Sequence, residues 1–347
     1  MGTIPKVFTI WSDKISKKHV SFLARARRSL LELLEKRAPH RHNLISFIAL
    51  KIIKISSREG NRESRYLNPI STRFLPDDPL PQGRRFLPTL LICAPKDLRI
   101  LPYSALSVFQ NLSRSESLSI VVPELISEEV RTILNELDIE AQVITDEEIL
   151  GEFIDNGMPK IEKAVRMQLL KLLSVISQNS KEVFVLDGDT LYLKSRAWIH
   201  DERILFPISQ EFLPRHTNFS RRHLGLESKS GLGFVTHHQV VCRECVEQII
   251  AQAGGVNTLA EKMQTSFSKI DNWEDEYPSE WQFLGEFMLE SNNHEVVPVR
   301  FANIGIDRNL INLKFGEDLK RIQVLKELEE LSNIAPGIHS ISLHSYK

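Results

Sequence analysis

Cysteine is scarce in this 347-residue chain, which holds only Cys93, Cys242 and Cys245. Three thiols cannot build the disulfide framework of a small secreted fold, and a reducing cytoplasm is the expected setting. Long apolar runs are missing as well. A membrane-spanning helix needs about 20 apolar residues in succession, and the best run here, 44–55, is interrupted by Lys51 and Lys54. The opening residues lack the apolar centre of a signal peptide, because Ile4, Val7, Phe8 and Ile10 are scattered among Lys, Ser and Asp. No internal repeat and no extended low-complexity tract is present.

What is present is a globular composition, 42% apolar and 26% charged, with room for one large domain or two small ones. The net charge of −1 conceals an asymmetry: residues 1–86 carry 18 Lys and Arg against 7 Asp and Glu, and the remainder carries 26 against 38. The basic segment is expected to hold one helix at about 18–37 and a Pro- and Arg-rich linker ending near residue 86. Such an arm could meet an anionic membrane surface peripherally, at its cytoplasmic face. Nucleic acid is not expected as a partner, since the arm has no reading motif and the body is acidic.

From residue 89 the pattern turns to short apolar strands alternating with helices: 89–94, 118–122, 141–145 and 182–186 read as strands, and 101–112, 127–137 and 159–177 as helices. This order predicts an α/β fold with a mostly parallel, Rossmann-like sheet covered by helices on both faces. A domain is expected over 87–312, followed by a C-terminal helix at about 316–332 and a tail.

The fourth strand runs into VFVLDGDTLYL, with Asp187 and Asp189 one residue apart at its C-terminal end. In open α/β sheets ligands bind at that edge. Two carboxylates there suit a hard cation, Mn²⁺ or Mg²⁺, held together with substrate phosphates, and Gly188 is expected to let a ligand approach the backbone. A cation so placed neutralises charge on a departing diphosphate, the chemistry of sugar transfer from a nucleotide sugar. The ordinary alternative is a solvated Asp-Gly turn. A rival enzyme class is the haloacid-dehalogenase-type phosphatase, which uses the first Asp of such a pair as a nucleophile. Against it, three strands precede this pair, and Leu191 stands where that family has Thr or Val.

The segments CAPKDL, RMQLLKL, VLDGDTLYL, GFVTHHQVV and PSEWQFLG follow one another in an order that resembles a bacterial family of uncharacterised GT-A-like glycosyltransferases, over about 90–312. Where the family pattern reads Tyr-x-x-Tyr-Gly, this chain has Trp281-Gln282-Phe283-Leu284-Gly285, which keeps an aromatic ring at the first position and loses the second Tyr. The resemblance implies a GT-A-like catalytic domain, a nucleotide-sugar donor, a glycan or lipid-linked acceptor, and nucleotide contact at Lys96 and Asp97. A relative that only binds sugars is the non-enzymatic alternative.

Other residues take roles around that turn. Gln168 and Lys171 border the apolar stripe of the long helix, where Lys171 could meet a phosphate or the Asp turn. His237 is assigned to the metal and His238 to the donor, although both end the expected strand GLGFVTHH and alternation lets only one face the site easily. Cys242 and Cys245 beside them raise a zinc alternative. Glu280 and Asp189 are the candidate catalytic groups, Glu280 as the base that takes the acceptor hydroxyl's proton, with Glu286 as a second choice. Arg300 and Asn303 are expected to close the pocket.

Overall fold

A computed structural model of the chain describes residues 87–112, 118–153, 162–200, 203–209, 213–227, 231–268, 276–291, 296–300, 303–308, 320–334 and 338–344. The basic segment 1–86, with its expected helix and linker, lies outside the described residues. The strands of the first half are β1 (Thr89–Ile92), β2 (Leu118–Val122), β3 (Gln142–Thr145), β4 (Glu182–Asp187) and β5 (Thr190–Tyr192). Those of the second are β6 (Ile199–His200), β7 (Arg203–Ile208), β8 (His238–Cys242), β9 (Val296–Arg300), β10 (Asn303–Asp307) and β11 (Ser340–His344). Helices α1 (Leu101–Asn111), α2 (Ser127–Glu136), α3 (Asp146–Phe153) and α4 (Lys163–Ser177) connect the first strands. Then come α5 (Pro214–Leu224), α6 (Arg243–Ala253), α7 (Val256–Ser268), α8 (Glu280–Glu290) and α9 (Arg321–Ile334).

The central sheet has the order β3-β2-β1-β4-β8, parallel except for β8, which runs antiparallel to β4. Alternation assigns its side chains to two cores. Leu91, Cys93, Ile120, Phe184 and Leu186 share one cluster with α1 and α2, while Leu90, Ile92, Val121, Val183 and Val185 share the other with α4 and α6. Burial of each large aliphatic chain contributes about 1.5–3 kcal/mol, and burial on both faces explains why β1, β2 and β4 read as continuous apolar runs. The chain moves outward from β1 to β2 and β3, then returns to place β4 on the other side of β1. At such a reversal, here at the C-terminal ends of β1 and β4, ligands of open α/β sheets bind in the crevice outside the strands.

Two smaller sheets flank this body, β10-β11-β5 and β6-β7-β9. In the first, β11 lies parallel to β10 and antiparallel to β5, so the end of the chain is built into the region around the acidic turn. The segment expected beyond a boundary at 312 thus joins the domain through β11, and Val324, Leu328 and Leu331 of α9 enter the larger core cluster. Likewise β8 begins at His238, where the sequence had suggested a strand ending there.

Candidate metal centre

β4 delivers Asp187 to the crevice, and the turn 188–189 leads directly into β5. The backbone of Gly188 is fully engaged: its N–H donates to the Ile92 carbonyl (2.8 Å) and its carbonyl accepts from Ser104 Oγ (2.9 Å). A Cβ at this position would lie 2.8 Å from both Cys93 Cα and the Ile92 oxygen. Glycine is therefore required because the turn presses against β1, which corrects the expectation that its open side serves a ligand.

Asp187 is held from three directions. Oδ1 lies 2.5 Å from Lys171 Nζ, and Oδ2 accepts from His237 Nδ1 at 2.9 Å and from Trp281 Nε1 at 3.4 Å. Burial alone would raise its carboxyl, but Lys171 and His237 outweigh it and hold the group well below the usual carboxylate range. Asp189 is placed differently. Burial first, and then the charge of Asp187, push its carboxyl up to about 6. His344 of β11 places Nδ1 3.9 Å from Asp189 Oδ2, and burial followed by the charge of His237 pushes that imidazole down to about 4.

The donor atoms of Asp187, Asp189 and His237 all lie within 4.8 Å of one another. Among the described residues these three form the one such group of His, Cys, Asp and Glu. Their spacing is commensurate with donors at about 2.0–2.2 Å from one ion, and two carboxylates with one imidazole suit a divalent cation. The donor set therefore fits a metal.

His237 reaches the group through its backbone. Its φ of +63° lies in the left-handed region, which costs a non-glycine residue about 1–3 kcal/mol. The fold holds it there through the Asp187 N–H, which donates to the His237 carbonyl (2.9 Å), and through Thr236 Oγ1, which donates to the His238 carbonyl (2.8 Å). The left-handed step turns the His237 ring toward Asp187 and sends the next side chain inward. His238 is fully buried, its ring centroid 5.7–5.9 Å from those of Phe184, Tyr192 and Trp198, and burial pushes its imidazole down to about 3. It sits buried in the aromatic core, where the sequence had suggested contact with the nucleotide-sugar donor.

Glu280 opens α8 at 3% exposure and accepts from Lys171 Nζ, while the Lys171 ammonium stands 4.5 Å from the Trp281 ring centroid. It is Lys171's partner here, not a base open to an acceptor hydroxyl. Gln168 is also buried and donates to the Pro278 carbonyl (3.3 Å), bracing the approach to α8 and not the turn. Asp97 is buried and bound to Arg308 (2.6 Å), while Lys96 beside it is exposed. Glu286 accepts from Thr217 and Gln282, both at 2.9 Å, inside the core. Asn303 donates to the Thr236 carbonyl (3.3 Å) and accepts from Ser340, tying the His237 loop to β11. The side chain of Arg300 lies outside the described residues. Cys242 and Cys245 are buried, and among the described residues neither stands with His237 in a group that could hold an ion.

Trp281 and His344 carry no role in the sequence reading, yet both stand at the cluster. The alternation Ser340-Ile341-Ser342-Leu343-His344 is the short period-two signal that marks β11 and would have brought His344 forward.

No protein-family profile matches the sequence, and no curated protein matches it. Among solved structures the chain is similar to mouse xyloside xylosyltransferase 1 in its apo form, with 15% identity over 63% of this chain and 87% of that one, and a TM-score of 0.36. It is similar also to the galactosyltransferase LgtC in complex with donor and acceptor sugar analogues, with 13% identity, 74% and 86% coverage and a TM-score of 0.38. A third is the inositol-1-phosphate CTP transferase of T. maritima, with 15% identity, 74% and 99% coverage and a TM-score of 0.35. Likeness at this level says nothing of activity.

Proposed function

We propose that this chain is a metal-dependent glycosyltransferase that moves a sugar from a nucleotide-sugar donor to a glycan or lipid-linked acceptor, in surface polysaccharide synthesis. The observation that carries the reading is the Asp187, Asp189 and His237 group at the crevice between β1 and β4, where ligands of open α/β sheets bind. The two carboxylates favour Mg²⁺ or Mn²⁺, and the imidazole tilts the choice toward Mn²⁺. When bound, the cation supplies charge neutralisation for a departing diphosphate.

The chain's own residues prepare the site. Lys171, His237 and Trp281 fix Asp187 in one orientation. Exposed Lys96 adds positive charge at the edge beside Asp189, where a phosphate of the donor would lie. The turn is anchored by Ser104 and by the Leu343 N–H, which donates to the Asp189 carbonyl (2.7 Å), so the carboxylates need little reorganisation. The basic residues of 1–86 would bring the site to an anionic membrane surface, where lipid-linked acceptors reside.

The test is a titration with Mn²⁺ and Mg²⁺, followed by a panel of nucleotide sugars with wild type and Asp187→Ala. Binding and donor turnover that vanish in the variant are expected. A chain that binds neither cation and hydrolyses no donor defeats the proposal. Phosphate release from a generic aryl phosphate with transient phosphorylation of Asp187 would instead establish the phosphatase alternative.

A further inference from the structure

We infer that Lys171 and Glu280 are positioning residues that set how readily Asp187 accepts a cation, an inference that rests on the metal-site reading above. Lys171 Nζ is shared between Asp187 Oδ1 and Glu280 Oε1, and all three side chains are largely withdrawn from water, at 10%, 18% and 4% exposure. In such surroundings a charge at contact distance acts with little screening. Lys171 therefore competes with any cation for Asp187, because it already satisfies one carboxylate oxygen with a full positive charge. Glu280 moderates that competition by drawing the ammonium to itself. The Trp281 ring under the ammonium and its indole N–H on Asp187 Oδ2 hold both groups in register.

The arrangement gives the two residues opposite signs, which no merely structural role would produce. In Glu280→Gln, Lys171 has Asp187 as its one remaining anionic partner in the triad, and Mn²⁺ affinity is expected to fall about tenfold, the size typical of outer-shell changes at metal sites. In Lys171→Met/Glu280→Gln the competing cation and its counter-charge are both gone, Asp187 Oδ1 is released, and affinity is expected to return to the wild-type value or exceed it. Glu280→Asp keeps the charge and is expected to stay within about threefold of wild type, below the loss typical of outer-shell changes.

The experiment is Mn²⁺ binding followed by electron paramagnetic resonance, with thermal melting of each metal-free variant alongside. Weakening in Glu280→Gln that the double variant reverses supports the inference. A double variant that folds but binds as weakly as the single one overturns it. Should the double variant not melt cooperatively, the comparison of Glu280→Asp with Glu280→Gln decides, and equal loss in both overturns it. Absence of Mn²⁺ binding in wild type overturns the metal-site reading itself, a result distinct from the other two.

Discussion

Asp187 and Asp189 are separated by one residue and oppositely tuned. Asp187 is held low by Lys171 and His237, so it contributes stability above the ordinary carboxylate range, a contribution lost as pH falls through that range and below. Asp189 has the reverse sign: its folded value of about 6 lies above the ordinary one, so ionisation costs the fold, fully above about pH 6 and not at all below about 4. Asp189→Asn is accordingly expected to stabilise the metal-free protein at pH 8 by about 1–3 kcal/mol, a gain that shrinks toward pH 4. Melting in EDTA across that range checks it, and a variant less stable than wild type at pH 8 contradicts it. The same proton competes with a cation, so metal affinity should fall as the pH drops through 6. The pair was legible in the sequence as a strand-end motif. Its asymmetry was not, because it arises from Lys171 on α4 and from residues brought close only by the fold.

Elements behave similarly. β1, β2 and β4 announce themselves as apolar runs because both their faces are buried, and α4 does so by density of Leu. β11 is short and half polar, since Ser340 and Ser342 of this central strand must serve Asn303 and Thr190, and so it reads as a tail. His237 escapes the period-two rule for another reason: a left-handed residue reverses alternation, and residue type alone does not signal it. The motif PSEWQFLG is explained at this scale. Gln282 accepts from the Phe234 N–H (3.0 Å) and donates to the Leu232 carbonyl (3.0 Å), and Gly285 leaves room for the Phe234 ring. A Cβ on Gly285 would come within 2.2 Å of that ring, whose residue is fully buried, so Gly285→Ala is expected to cost about 2 kcal/mol or more in urea denaturation. An unchanged midpoint would show that α8 can slide. Arg308 fastens the C-terminal sheet to the first loop, donating to Asp97, to the Lys96 carbonyl (2.6 Å) and to the Leu343 carbonyl (3.1 Å). Arg308→Ala strands a buried Asp97 carboxyl, with an expected loss of about 3 kcal/mol. Arg308→Lys should recover little of it, because one ammonium cannot reach three acceptors spread around a planar fork.

For the whole molecule, the dominant property is the opposition between a basic first quarter and an acidic remainder. No helix among the described residues is long and apolar enough to cross a membrane. Full-length protein is expected to sediment with anionic vesicles at low salt and to release from them near 0.5 M salt, where the Debye length falls to about 4 Å. Deletion of 1–86 should abolish sedimentation, and persistent binding by the deleted protein would refute the peripheral contact.

The pairing of β11 with β5 has a consequence for synthesis. Ile341 aligns with Leu191, which precedes it by 150 positions, and the Leu343 N–H clasps the carbonyl of Asp189. While the chain is still emerging from a ribosome, the acidic turn can form but the strand that steadies it remains inside the exit tunnel. Contacts this distant also slow folding. The turn is thus steadied only once residue 343 has left the ribosome, and a polypeptide stalled before residue 340 would carry the aspartates without the clasp.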